Sequence, residues 1–302
     1  MLPTTPEYLV KALNDQYGAE TAARIEEGFA NRRPVTLRVN TIKTSTDAVK
    51  AALAAAGIVC EPVPWYADAL ILPDIREDAV QALPMYERGE VYLQSLSAMV
   101  PALVLAPRRG ESVLDMAAAP GGKTTQMAAI SGNEANITAC EKNKIRADRL
   151  QFNVDRQGAR HTVVMNTDAR QLDDFFRFDK ILLDAPCTGS GTILLTEGEP
   201  QRRMDAAWVK KTVATQSAML QKALRLLRAG GELVYSTCSV MGCENEEVLH
   251  RAMTGVKAEI IPICDTLMQA IPCLPTTLPG TMVVCPTSLY EGFYVAHIRK
   301  LK

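Results

Sequence analysis

Five short apolar, β-rich runs lie between residues 112 and 239, and helical patterns separate most of them. They read SVLDMAA (112–118), NITACEK (136–142), TVVMNTD (162–168), DKILLDAP (179–186) and GELVYSTCS (231–239). A helix is expected from Gly122, and an amphipathic one across NKIRADRLQFNVDRQG to a stop at Gly158. A long helix is expected from Asp205 to Arg228, stopped by Ala229-Gly230-Gly231. Strands separated by helices do not pair as hairpins. They pair in parallel, and each crossover leaves its covering element on a face of the sheet. The expected fold is therefore α/β, a doubly wound, mostly parallel sheet. EIIPI (259–263) and GFYVAHIRK (292–300) bring it to seven strands, the last one antiparallel.

Residues 1–88 follow another pattern. Helical patches at 7–30 and 45–56 flank the alternating stretch RPVTLRVN, and the turn-rich PVPWYADALILPD follows. This predicts a small α+β module with its boundary at 88/89, and 302 residues leave length for both units. Lys plus Arg number 33 against 34 Asp plus Glu, so any nucleic-acid surface must be local rather than global. Arg32, Arg33, Arg38 and Lys43 are candidates in the module, with Arg202, Arg203, Lys210 and Lys211 further along. No run reaches about 18 apolar residues, and the N-terminus carries no basic leader, so a cytoplasmic chain without a membrane partner is expected. Eight cysteines without a CxxC pair, beside only three histidines, give no basis for a metal site.

AAAPGGKTT (117–125) looks like the end of a phosphate-binding loop, because Gly122-Lys123-Thr124 match the end of GxxxxGK[ST]. KILLDAP even imitates the acidic strand that accompanies such loops. However, Ala117 stands at the first glycine position, and Pro120 removes an N–H donor. The turn is too tight and apolar for a triphosphate. A nucleoside with a cationic tail suits it better, since ligands of doubly wound sheets lie across the carboxyl ends of the strands. Asp115 ends the first strand, and the turn of Ala117, Ala118, Ala119, Pro120, Gly121 and Gly122 lets a ligand approach the backbone. Glu141 ends the second strand and can accept both hydroxyls of a ribose. Asp168 ends the third, placed for an exocyclic amine of adenine. Any one of these carboxylates is ordinarily a turn former, but three at corresponding positions favour S-adenosylmethionine. Lys123, Arg146 and Asp184 complete the cofactor-binding candidates.

DMAAAPGGKT (115–124), LLDAPCTGSG (182–191) and STCSVMGCENEE (236–247) resemble the motif set of the Sun family (Nol/Nop/Fmu-like, RsmB/RsmF-type) of RNA cytosine-C5 methyltransferases. LRVNTIK (37–43), YLQSLSAM (92–99) and EGFYVAHIRK (291–300) resemble its N-terminal signature, the entry to its catalytic domain and its closing strand. The resemblance implies a Rossmann-like class I methyltransferase domain at 89–302 and an RRM-like, RNA-binding α+β extension at 1–88. It also implies S-adenosylmethionine as cofactor and RNA as partner, with rRNA ahead of tRNA. A monomer is expected. The chain ends directly after the closing strand, so the appended RNA-binding domain of longer members is not expected, and target choice falls to another surface or a partner.

Carbon 5 of cytosine is a poor nucleophile. A thiolate adding to carbon 6 makes the ring enamine-like, and the carbon-5 proton and the thiol must afterwards leave. The chemistry therefore needs a nucleophile and a proton-handling partner. By resemblance Cys238, in STCS, is the nucleophile, and Cys187, in DAPC, assists product release. Asp184 would hydrogen-bond the cytosine edge, Lys123 would pair with Asp184 or the ligand, and Arg38 matches the family's LRxN signature near the cleft. Cys140, Cys243, Cys264, Cys273 and Cys285 have no motif context and are assigned to the core. Three rivals stand beside this reading. A methyltransferase for another substrate, protein or DNA, is one: paired cysteines are awkward for a protein substrate, whereas DNA cytosine enzymes usually carry their nucleophile in a Pro-Cys loop like that of Cys187. A P-loop NTPase is weakened by the missing glycine, and a non-catalytic RNA-binding relative by the presence of both cysteines.

Overall fold

The computed structural model describes residues 4–196 and 203–302, so Arg202 lies outside the described residues. Strands β1 (Val35–Val39), β2 (Glu61–Val63), β3 (Tyr66–Leu72) and β4 (Val91–Leu93) form an antiparallel sheet in the order β2-β3-β1-β4. The expected boundary at 88/89 runs through this sheet, because β4 comes from beyond it and pairs with β1 through Leu37–Leu93 and Val39–Val91. The helix Thr46–Ala55, N-capped by the Ser45 side chain, covers one face with Val49 and Leu53 against Leu37 and Val39. The first helix, Glu7–Phe29, kinks at Gly18. It sends Leu9, Leu13, Ile25 and Phe29 into the core of the larger sheet instead.

Arg38 corrects the sequence reading. It is 0% exposed, so it is not a surface contact for RNA. Its Nε donates to Gln94 Oε1 at 3.1 Å, and Nη2 donates to Thr125 Oγ1 at 3.0 Å. Burial lowers its pKa, and the Tyr92 ring lies 5.8 Å from the guanidinium. The cation thus ties β1 to the helix that follows the glycine turn. Asn40 makes a second tie, donating to the carbonyls of Gly89 and Gln157. Arg33 is half-buried and donates to the Tyr290 carbonyl at 2.9 Å, whereas Arg32 is exposed.

The larger sheet begins with five parallel strands: β5 (Ser112–Asp115), β6 (Asn136–Cys140), β7 (Thr162–Met165), β8 (Phe178–Asp184) and β9 (Leu227–Thr237). The two further expected strands follow as β10 (Ala258–Ile261) and β13 (Phe293–Lys300); β13 is antiparallel to β9 as expected, and β10 is antiparallel to β13 as well. Two short strands that the sequence did not suggest, β11 (Cys273–Leu274) and β12 (Met282–Val284), extend the antiparallel edge and bring the sheet to nine strands among the described residues. From β5 the chain winds through β6 and β7 on one side and through β8 and β9 on the other, so the strand order reverses beside β5. The crevice above its carboxyl end is where ligands of such sheets bind.

The long helix runs Ala206–Leu226 and stops before the glycines, not at them. Leu227 already pairs with Phe178. Gly230, at φ 80°, and Gly231, where a Cβ would meet Asp179 O at 2.8 Å, let the strand enter the sheet closely. Among the described residues no helix is long and apolar enough to cross a membrane.

Candidate active site

The turn after β5 is built from small residues stitched to its neighbours. Met116 N–H donates to Leu182 O on β8, and Ala118 N–H donates to Cys140 O on β6. Gly121 stands at φ 111°, a backbone that only glycine adopts freely, and the helix Gly122–Ile130 starts there. Asp115 is 1% exposed; its Oδ2 accepts the Thr124 hydroxyl at 2.7 Å, while Oδ1 has no hydrogen-bond partner among the described residues. A buried, unpartnered carboxylate oxygen at this point suits a cationic ligand.

Burial pushes the Asp115 carboxyl up to about 6 from an ordinary 3.8, against the pull of the Thr124 hydroxyl. A carboxyl raised by folding adds stability below its unfolded value, and that stability is lost as pH climbs through the folded value. A rise of this size removes about 3 kcal/mol of stability between acid and neutral pH. The melting-temperature difference between Asp115→Asn and the parent is expected to widen in the variant's favour from pH 4 to pH 7. Parallel melting curves over that range would disprove the assignment.

Glu141 follows β6, is 4% exposed and accepts the Asn143 N–H at 2.9 Å. Arg146 approaches it to 3.4 Å and donates to Ala119 O at 3.0 Å, linking the acidic position to the turn. Asp168 caps the short helical turn Ala169–Gln171, and the Arg170 side chain that it holds pulls its carboxyl below the usual range. Sequence reasoning missed Arg170, whose only signal was its place two residues past a strand-end acid.

The cysteines meet. Cys187 Sγ and Cys238 Sγ lie 3.1 Å apart, and both are free. The neighbouring Cys238, together with burial, raises the Cys187 thiol well above its ordinary value, which keeps it protonated at neutral pH. Lys123 Nζ donates to Asp184 Oδ2 at 2.7 Å, and the Ser236 hydroxyl donates to Asp184 Oδ1 at 2.8 Å. Burial pulls the Lys123 ammonium down, but Asp184 more than reverses this. The lysine that imitates a phosphate loop is thus committed to a carboxylate. Crosslinks hold the two cysteine loops together: Gly191 N–H donates to Cys238 O at 3.0 Å, and the hydroxyls of Ser190 and Ser239 lie 2.8 Å apart.

A cavity of about 250 Å³ runs from Glu141, Arg146 and Asp168, past Ala117 and Ala119, to Asp184, Cys187 and Cys238. On the other side of the turn a cavity of about 220 Å³ holds Asp115, Lys123 and Asp184. It shares Leu93, Gln94 and Ser95 with a groove of about 850 Å³ lined by Arg32 and Arg33. Lys43 serves elsewhere, donating to the carbonyls of Arg88 and Arg156; Arg203, Lys210 and Lys211 are exposed. Cys140 and Cys285 are buried and Cys243 and Cys273 half-buried. Cys264 is exposed instead of in the core, because it precedes the short surface helix Asp265–Ala270. Among the described residues no three His, Cys, Asp or Glu side chains are grouped to hold a metal ion.

Residues 102–299 match the family model described as 16S rRNA methyltransferase RsmB/F, and residues 5–76 match the ferredoxin-like domain of RsmF/B-like methyltransferases. The ribosomal RNA small subunit methyltransferase F of Salmonella heidelberg (strain SL476) is 37% identical over 292 residues, covering 90% of this chain and 58% of that protein. Its namesake in Shewanella woodyi is 34% identical over 281 residues, covering 88% of this chain and 57% of that protein. The chain thus spans little more than half the length of these curated relatives. Among solved structures, a methyltransferase homologue from Pyrococcus horikoshii superposes with a TM-score of 0.80 at 30% identity, covering 98% of this chain and 99% of that one.

Proposed function

The chain belongs to the RsmB/F family of 16S rRNA methyltransferases, and on that premise we propose that it transfers a methyl group from S-adenosylmethionine to carbon 5 of a cytosine in small-subunit rRNA, through a covalent adduct with Cys238. Its larger sheet is the Rossmann-like fold of class I methyltransferases, and its N-terminal unit is ferredoxin-like. The observation that carries the proposal is the 3.1 Å approach of two free thiols beside the Asp184–Lys123 pair. A methyltransferase acting on nitrogen or oxygen has no use for two thiols in contact; one acting on an unactivated ring carbon needs a nucleophile and a partner.

S-adenosylmethionine, when bound, supplies a methyl group on a sulfonium. Asp115, the turn 117–122, Glu141, Arg146 and Asp168 are the residues proposed to hold it. The unpartnered Oδ1 of Asp115 and the cavity that joins Glu141 to the cysteines support this fit. The Cys238 sulfur bonds to carbon 6 of the base, and electron density moves to carbon 5. After carbon 5 is methylated its proton passes to a base in the cleft or to water, the C–H electrons re-form the C5=C6 bond, and the carbon–sulfur bond breaks with its electrons returning to the Cys238 sulfur. Cys187, a protonated thiol beside that sulfur, is placed to serve this last stage. Asp184, fixed by Lys123 and Ser236, serves the edge of the base. The names of the curated relatives favour rRNA over tRNA, and the groove at Arg32 and Arg33 is the proposed approach for the strand.

Incubation with tritiated S-adenosylmethionine and separate pools of small-subunit rRNA, assembled small subunits, tRNA and duplex DNA tests the proposal, with bisulfite sequencing of the labelled pool. Label at a bisulfite-resistant cytosine of the rRNA is expected. Label confined to tRNA or DNA would overturn the substrate, and label at a bisulfite-sensitive position would overturn the carbon-5 chemistry.

A further inference from the structure

Two consecutive residues of the CENEE segment stand where the cysteine loops converge, and both are 0% exposed. Glu244 Oε1 accepts the Thr188 N–H at 2.9 Å and the Gln216 side-chain amide at 3.2 Å, and its Oε2 accepts the Thr188 hydroxyl at 2.6 Å. Asn245 Oδ1 accepts the Thr237 hydroxyl at 2.6 Å, and its Nδ2 donates to Ser239 O at 2.9 Å. Thr188 follows Cys187 in sequence, and Thr237 and Ser239 flank Cys238. The Tyr235 hydroxyl, itself buried on β9, donates to the Glu244 carbonyl at 2.6 Å and fixes the backbone between the two grips. The two grips thus come from adjacent residues, one holding each cysteine loop.

We propose that Glu244 and Asn245 are positioning residues that set the separation of the two thiols, Glu244 acting on Cys187 through Thr188, and Asn245 acting on Cys238 through Thr237 and Ser239. The assignment of separate tasks to the two thiols rests on the function proposed above; the spacing does not. Buried hydrogen-bond partners that orient reactive groups are commonly worth about 10- to 100-fold in activity when removed. The two residues are therefore expected to fail in different ways. Glu244→Ala lowers turnover and accumulates the covalent RNA adduct, because release through Cys187 is impaired. Asn245→Ala lowers turnover without adduct, because attack by Cys238 is impaired. Glu244→Gln restores turnover. Its amide oxygen still accepts from Thr188 and Gln216, and its NH₂ donates to the Thr188 hydroxyl, which then acts as acceptor.

Denaturing gels of the complex with tritiated cofactor and RNA read the adduct. Where an alanine variant fails to fold, Thr188→Val and Thr237→Val remove one hydroxyl each from the same grips and carry the same opposite expectations. A readout free of RNA is the rate at which diamide oxidises Cys187 and Cys238 to a disulfide. The two thiols give up two electrons and two protons, the N=N bond of diamide becomes the hydrazine, and peptide mapping identifies the pair. The sulfurs must close from 3.1 Å to about 2.05 Å, so the rate reports their placement. Slower disulfide formation in Thr188→Val and Thr237→Val, with parental rates in Glu244→Gln, is expected. Parental rates in the valine variants, or equal adduct in both classes, overturn the proposal. A parent that forms the disulfide readily but methylates no RNA would leave the spacing intact and condemn the reaction instead.

Discussion

Cys187→Ala is expected to leave the protein covalently joined to its RNA on a denaturing gel, while Cys238→Ala forms no adduct and transfers no methyl group. The asymmetry follows from one contact. With the sulfurs 3.1 Å apart, whichever thiol attacks carbon 6 has the other beside the carbon–sulfur bond that must later break. Removing the attacker removes the pathway, and losses of about ten-thousand-fold or more accompany the loss of a covalent nucleophile. Removing the neighbour leaves attack possible and slows departure, so the intermediate accumulates. The raised Cys187 thiol fits the second task, since a group that stays protonated at neutral pH is a poor nucleophile. An adduct in Cys238→Ala and none in Cys187→Ala would exchange the two assignments; adduct in neither, with methylation intact, would end the covalent reading.

Gly191→Ala is expected to be among the most damaging single-methyl additions in the chain. A Cβ there would lie 2.1 Å from Gly292 O and 2.5 Å from its carbonyl carbon, both backbone atoms that no rotamer change can move. Gly191 O accepts the Gly292 N–H at 2.8 Å, and Gly191 N–H donates to Cys238 O, so the glycine sits at a crossing of the closing strand's entry and both cysteine loops. Overpacking of this kind costs about 1–3 kcal/mol, and more where the neighbour is rigid. Gly110→Ala is the comparison. It has nothing within 4 Å of the added Cβ and a φ of 78°, so it pays only the left-handed backbone penalty of about 1–2 kcal/mol. Urea melts should separate the two, and methylation by Gly191→Ala should fall by more than its folded fraction explains. Equal midpoints would show that the crossing has slack.

The five parallel strands were legible because their apolar runs are bounded by turns and separated by helices. The cysteines were legible because DAPC and STCS place each just past a strand, and the parallel pairing of β8 with β9 brings those ends together. Arg38 was misread for a physical reason. The stretch VTLRV alternates as a half-exposed strand does, yet four of its five positions are buried, since one face meets a helix and the other the neighbouring unit. A charge on such a strand looks like solvent contact until its partners, 56 and 87 residues away, are in view. The same distance hides Glu244, whose bonds to Thr188 span 56 residues. The glycines at 229–231 look like a helix stop, but the helix has already ended at Leu226, and they serve the strand's close approach.

The Arg38 tie bears on how such proteins can be recombined. Its cation comes from the N-terminal sheet, one acceptor, Gln94, from just after β4, and the other, Thr125, from the helix of the glycine turn. A chimera joined at residue 88 would graft the guanidinium onto a host that must supply both acceptors in register, or else strand a charge in the interior. The workable crossover lies where no such debt is created. The first 88 residues are a poor cassette, and exchange between relatives is expected to succeed only when Arg38, Gln94 and Thr125 travel together.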